Sequence, residues 1–301
     1  MIDHMIVFTI GLAVSCLLTP MVRRLCYRFG ILDMPNPEKL HRVAMPRVGG
    51  LAIFAGFISA VIYILIRGIF VTDQIYMIIS AAMLMVILGL YDDIKGCSPA
   101  IKFSVQTVAA MILIWSGVRV GVLPVFLSIP VTIFWIVGIT NAVNLQDGMD
   151  GLAAGMACLA GVVFSAIGMV QQNTLLIFMS VALSASCLGF LRYNFFPASI
   201  FMGDTGSMFI GFMLAAFGVI STMNAGSLIN LFAPVLVLGA PIFDTFLAMA
   251  RRLASHEQIF KADRGHLYDL MIDSQRLSYA QVVISAYVIT MLLGAGGLCL
   301  M

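Results

Sequence analysis

Six aspartates stand out in a chain that is 61% hydrophobic and only 10% charged, because five sit in short polar motifs between long apolar stretches and the sixth, Asp244, lies within one. Asp92 and Asp93 lie in L-G-L-Y-D-D-I-K-G, while Asp147 and Asp150 lie in N-A-V-N-L-Q-D-G-M-D-G-L, which begins at Asn141 and includes Asn144. Asp204 lies in F-M-G-D-T-G-S, and Asp244 in A-P-I-F-D-T. Carboxylates gathered at the edge of a low-dielectric medium need a cation or cationic partners, since burial and like charge both disfavour ionisation. A glycine, an acid and a hydroxyl just ahead of an apolar helix, as around Asp204, present backbone N–H groups to a phosphate and a hard oxygen to Mg²⁺.

Each motif also has a plainer reading. Asp92 and Asp93 at the end of a helix are solvated charges that oppose the macrodipole at roughly 0.3–1 kcal/mol each, a penalty that a metal or Lys95 offsets. Asp147 and Asp150, three apart, share a face if helical and equally serve as caps for the following helix, as does Asp204. Gly151 and Gly155 form a small-residue pair suited to helix packing, within or between chains. An EF-hand is excluded, because the twelfth position counted from Asp147 is Cys158 rather than Glu. Asp244, inside an apolar stretch, costs about 2.5–3.5 kcal/mol to insert, so it faces the bundle interior, paired with Arg251 or Arg252 or lining a polar cavity.

The elements that must position these residues are membrane helices. Mean hydropathy is +1.07, and about 20 apolar residues suffice to cross a bilayer. Ten such stretches occur, near 2–20, 49–67, 74–90, 102–118, 122–140, 151–170, 173–191, 207–222, 227–248 and 278–299. The sequence therefore predicts an all-α, polytopic bundle of about ten transmembrane helices forming a single domain over residues 1–301. Pro124 and Pro130 leave the fifth stretch open to a kink or a re-entrant path. If all ten cross, alternate linkers place every Lys and Arg except Arg67 and Arg119 on one side. That side is cytoplasmic by the positive-inside rule, so both termini lie outside and the acidic motifs face the cytoplasm.

A net charge of +2 gives no reason to expect nucleic acid. The six cysteines follow no paired spacing and read as small buried hydrophobes. The first apolar stretch lacks a basic leader and a small-residue cleavage site, and reads as a retained helix. A transporter or flippase of lipid-linked sugar is the competing class. It would place acids at midplane or on both sides, whereas only Asp3 and Asp73 fall outside, and the sequence carries no internal repeat.

Taken in order, the motifs resemble those of the polyprenyl-phosphate N-acetylhexosamine-1-phosphate transferases, a superfamily that includes phospho-MurNAc-pentapeptide translocase. The resemblance runs from about Pro35 to Arg276. Its most specific pieces are N-x-x-D-G-x-D-G-L from Asn144, F-M-G-D-x-G-S from Phe201 and D-R-G-H from Asp263. It implies Mg²⁺-dependent (or Mn²⁺-dependent) transfer of a sugar 1-phosphate, GlcNAc 1-phosphate above all, from a UDP-N-acetylhexosamine to undecaprenyl or another polyprenyl phosphate. The products are polyprenyl-diphosphate-sugar and UMP, and the setting is the inner membrane in the synthesis of a cell-surface glycan such as teichoic acid or lipopolysaccharide.

By the same resemblance Asp204 and Asp93 hold the metal, and Asp92, Asp93, Asp147 and Asp150 form the catalytic set, with Asp92 accepting a proton from the lipid phosphate. Asn144, Asn194, Phe201, Arg264, His266, Arg42 and Arg47 contact substrate, Phe201 by stacking on uracil. D-R-G-H favours the GlcNAc branch, with the muramoyl-pentapeptide translocase as the alternative. The chain departs from the pattern at Tyr268 and Asp269, which stand where hexosamine transferases carry histidines. Association as a homodimer stays open.

Overall fold

In a computed structural model of the chain, residues 2–35, 43–223, 226–255, 268, 271–272 and 277–301 are described. Arg42, Asp263, Arg264, His266 and Asp269 lie outside them. The described chain forms α1 (Ile2–Phe29), α2 (Gly50–Ile66), α3 (Asp73–Lys95), α4 (Pro99–Trp115), α5 (Val125–Leu145), α6 (Leu152–Val170), α7 (Thr174–Asn194), α8 (Gly203–Met223), α9 (Phe232–Val237), α10 (Gly239–Ala254) and α11 (Tyr279–Cys299). Every apolar stretch of the sequence falls on one or two of these helices.

Among the described residues seven helices are long and apolar enough to cross a membrane, or eight if α9 and α10 with the turn before them form one bent span. The structure thus supports seven or eight spans rather than the expected ten, since α2 and α4 have only 17 residues each. The expected single ninth span is two helices at 80° to each other. Pro241 accounts for the break: it has no N–H to donate, and its ring excludes the carbonyl four residues back, at Val237, where α9 ends. Pro124 and Pro130 do not interrupt α5, because Pro124 precedes its first turn and Pro130 lies near its start.

Helix α8 is apolar all round and packs against α2, α3, α5, α6, α7 and α9, as a helix without a polar face must. Glycines let its neighbours come close. Gly211 lies against Thr140 of α5, and Gly218 lies against Trp135, whose indole N–H donates to the Ala215 carbonyl at 3.0 Å. The outer helices instead expose Leu17, Ile66, Trp115, Phe134, Phe246 and Leu292. So much exposed apolar surface would drive association in water and is indifferent in lipid. Helix α10 is turned the same way, with Asp244, Ala248 and Arg252 inward and Phe243, Phe246 and Leu253 outward, which meets the expectation for Asp244.

The first linker contains a strand pair absent from the all-α expectation. Leu32–Asp33 (β1) pairs antiparallel with Met45–Pro46 (β2). Beyond β2 the chain turns sharply at Val48, a β-branched residue at φ 69° in the left-handed region.

Candidate active site

The C-terminal ends of α3, α5 and α7 and the N-terminal ends of α4, α6 and α8 meet at one end of the bundle, and the acidic motifs meet with them. Close approach of backbones makes this possible. A β-carbon on Gly50 would overlap Gly206, and one on Gly89 would overlap the backbone of Asp204, so α2 and α3 touch the first turn of α8 directly. The strip Pro46–Gly50 is stitched to the strip before α8. The Phe201 N–H donates to the Pro46 carbonyl at 2.8 Å, and Gly49 and Gly50 donate to the carbonyls of Phe201 and Met202 at 2.9 Å. These bonds fix where Asp204 begins its helix.

Asp93 and Asp204 have different surroundings. The Asp93 side chain is fully buried. Its Oδ1 accepts from Arg47 Nε at 3.1 Å and from the Asp204 N–H at 3.0 Å, with Arg47 Nη2 ion-paired to it at 2.8 Å; its Oδ2 accepts from the N–H and hydroxyl of Thr205 at 2.9 and 2.6 Å. Two carboxylate oxygens offer about four lone-pair sites, and these donors occupy them. Asp93 therefore caps α8 from the end of α3, where its charge complements the helix N-terminus. Gly203, at φ 71°, leaves room for it, since a β-carbon there would lie 2.6 Å from Asp93 Oδ2.

Asp204 and Asp92 share a lysine. Lys102 Nζ donates to Asp92 Oδ2 at 2.5 Å and to Asp204 Oδ2 at 2.6 Å. The other oxygen of Asp204 accepts from Asn144 Nδ2 at 2.9 Å, and the same amide donates to the Ser207 hydroxyl at 2.8 Å. Lys102 is held in register by a pair of amides one turn along α4. Gln106, wholly buried, accepts from Asn141 Nδ2 at 2.7 Å and returns a bond at 3.3 Å, locking α4 to α5. Neither Lys102 nor Gln106 is among the residues that the sequence motifs single out. Their one signal there is an i, i+4 polar pair in an otherwise apolar stretch.

Asp147 lies in the turn between α5 and α6. Burial, and after it the carboxylates of Asp204, Asp93 and Asp150, push its carboxyl well above the usual carboxylate range, with Arg47 opposing. Asp150 accepts from the Ala198 N–H at 2.9 Å, and its own N–H donates to the Tyr279 hydroxyl. Asn194, expected to line a substrate pocket, is buried with its amide spent on backbone: Oδ1 accepts from the Gly151 N–H and Nδ2 donates to the Ile200 carbonyl, each at 3.1 Å. Arg47, expected to meet substrate, reaches Asp93 and, at 3.8 Å, Asp33. Phe201 is partly exposed beside the cluster.

The site thus separates into two groups. Asp93, Arg47, Asp150 and Asn194 hold helix ends and loops together, while Asp92, Asp204, Lys102, Asn144 and Ser207 form a polar cluster with opposing charges.

An apolar cavity of about 630 Å³ adjoins the turn that carries Asp147. It lies between α6, α9, α10 and α11, and is lined by Leu236, Phe243, Val282 and Leu293, with Gln146, Asp244 and Tyr268 as its polar or amphipathic members.

Comparison with known proteins agrees with this layout. The glycosyl transferase family 4 description matches residues 75–222, which span α3 to α8 and hold the whole polar cluster. A probable undecaprenyl-phosphate N-acetylglucosaminyl 1-phosphate transferase of Bacillus subtilis is 34% identical over 299 residues, covering 96% of this chain and 82% of the relative. The chain belongs to the polyprenyl-phosphate sugar-1-phosphate transferase superfamily. A decaprenyl-phosphate N-acetylglucosaminephosphotransferase of Mycobacterium tuberculosis is 36% identical, covering 88% of this chain and 74% of its own length. A phospho-N-acetylmuramoyl-pentapeptide-transferase of Heliobacterium modesticaldum is 31% identical, covering 85% and 84%. The superfamily's members are phosphotransferases of both the N-acetylglucosamine and muramoyl-pentapeptide kinds. This chain is a multi-pass membrane protein of that group.

Proposed function

We propose that this protein transfers N-acetylglucosamine 1-phosphate from UDP-GlcNAc to a polyprenyl phosphate at the cytoplasmic face of the membrane. The observation that carries the reading is the Asp204–Lys102–Asp92 cluster with Asn144, set at the bundle end beside a largely apolar cavity. A phosphate oxygen of the lipid attacks the sugar-bearing phosphorus of the nucleotide sugar. The bond from that phosphorus to the bridging oxygen breaks, and UMP leaves with the bridging oxygen.

Such a transfer needs positioning and charge stabilisation more than covalent chemistry. Lys102 supplies a point charge that can pass from the carboxylates to the equatorial phosphate oxygens. In this reading Asp92 takes the acceptor's proton. A phosphate monoester with a second pKa near 6 is already mostly dianionic at neutral pH, so this step carries a small share of the barrier.

The donor set fits Mg²⁺. Asp204 and Asp92 offer carboxylate oxygens, and Asn144 would offer its amide oxygen on a flip of the terminal group, an orientation set by its hydrogen bonds. Mg²⁺ is commonly bound through one or two carboxylates with substrate phosphates completing the sphere, and among the described residues no group of three His, Cys, Asp or Glu is gathered for a metal. Bound there, the ion would neutralise charge on the pyrophosphate. Asp93 has no lone pair to spare and acts by holding α8.

The cavity suits the isoprenoid tail. Its lining is largely apolar, Phe243 and Phe246 in its wall are exposed on the outer surface of the bundle, and it reaches the acidic turn at Gln146. The relatives named for undecaprenyl and decaprenyl phosphate support that occupant. The D-R-G-H lead-in at 263–266 favours GlcNAc over the muramoyl-pentapeptide donor. The test is transfer of radiolabelled sugar into the lipid phase from UDP-GlcNAc, UDP-GalNAc and UDP-MurNAc-pentapeptide in turn. Transfer from UDP-GlcNAc alone supports the reading, and transfer from the muramoyl donor in its place overturns it.

A further inference from the structure

Tyr268 is where the cavity and the acidic turn meet. Its side chain is 8% exposed and packs with Met149, Leu152, Met156, Val282 and Val283. One side of the ring lines the cavity. The other end presses on Gly148, between Asp147 and Asp150: a β-carbon built on Gly148 would overlap the Tyr268 hydroxyl and stand 3.1 Å from the carbon that bears it. Anything that pushes Tyr268 from the cavity therefore pushes the turn 146–151. Close-packed interiors transmit such displacements because they have no slack.

We propose that Tyr268 is a positioning residue that couples occupancy of the apolar cavity by the acceptor's isoprenoid tail to the placement of the acidic turn Gln146–Gly151. The inference rests on the transferase reading for its substrate, and on the geometry around Gly148 for the coupling. It also accounts for the departure from the histidine pattern at this position. An imidazole would bring a polar edge into a cluster of Met, Leu and Val side chains, with the cost of an unpaired buried polar group. A phenol keeps an apolar ring toward the cavity and puts its one polar atom at the turn.

The coupling predicts that a filled cavity speeds the reaction at the phosphate. Wild-type protein should use undecaprenyl phosphate far better than dimethylallyl phosphate, which has the same reacting group and a single isoprene unit. In Tyr268→Ala, and in Tyr268→Leu as a variant that keeps apolar bulk, that advantage in kcat/KM should fall by about tenfold or more while the KM for the nucleotide sugar changes by less than about threefold. Tyr268→Phe, which keeps the ring, should retain the advantage. Equal losses with both acceptors would mean that Tyr268 only packs, and would overturn the proposal.

A second measurement does not depend on turnover. Amide hydrogen exchange across residues 146–151 should slow on adding undecaprenyl phosphate to wild type but not to Tyr268→Leu. Equal slowing in both proteins would overturn the coupling. Slowing confined to wild type, in a protein that releases no UMP, would support the coupling and count against the transferase reading instead.

Discussion

Asp93 accepts four hydrogen bonds and is ion-paired with Arg47, whereas Asp204 faces a lysine and an amide across a polar cluster. Substitutions at the two sites should therefore fail differently. Arg47→Ala strands the buried Asp93 charge and should destabilise the protein by up to about 3 kcal/mol, lowering its thermal midpoint in detergent. Asp204→Asn should leave that midpoint within a few degrees and abolish turnover. Asp147 offers a third test. Its carboxyl titrates well above the usual carboxylate range, so the folded state holds that proton more tightly than the unfolded state. Stability from this group is full at acid pH and is lost as pH rises through the usual range toward the raised value. Asp147→Asn should remove that loss, raising the midpoint at neutral pH in metal-free buffer while turnover disappears. Sequence makes the acids conspicuous but does not divide them into holders and reactants. That division depends on Arg47, which reaches Asp93 across 46 positions from just beyond a pair of two-residue antiparallel strands and beside a left-handed Val48. Lys102 escapes notice in the sequence because a lysine at the edge of an apolar stretch reads as a topology signal.

Helix ends carry the architecture of the site, and glycines decide how near they come. Gly203→Ala places a methyl group against Asp93 at a left-handed backbone position. It should cost at least about 1 kcal/mol from backbone strain alone, and weaken turnover through a displaced α8. Thermal unfolding and UMP release measured on one preparation would check both effects. The helices themselves are legible in the sequence because an apolar run long enough to cross lipid is rarely needed to build a soluble core. Their lengths are less so: α2 and α4 stop at 17 residues, and the ninth stretch breaks where Pro241 denies Val237 a partner. Gly151 and Gly155 read in the sequence as a packing pair whose partner is open. Gly155 packs against Tyr287 of the same chain, whose hydroxyl donates to the Gly151 carbonyl at 2.6 Å, so the pair joins α6 to α11.

At the scale of the whole molecule, the bundle gathers its polar cluster at one end and presents apolar surface around its girth. The proposed orientation puts Cys97, between α3 and α4 and partly exposed, on the cytoplasmic side. With every other cysteine replaced by serine, the exposed Cys299 near the outer end of α11 among them, a membrane-impermeant maleimide should therefore label Cys97 in inverted vesicles or opened cells and not in intact cells; labelling of that variant in intact cells would invert the topology. Charge distribution makes this orientation readable, because basic residues segregate strongly and acids do not control insertion. The cavity beside α10 is invisible in the sequence, since it is created by the bend between α9 and α10. The most direct test of the proposed transfer is UMP release by the purified protein in detergent, with UDP-GlcNAc, undecaprenyl phosphate and Mg²⁺, alongside Lys102→Met. Release should require both lipid and metal and fall at least about a hundredfold in the variant. Release that proceeds without lipid, or that survives the loss of Lys102, would contradict the proposal.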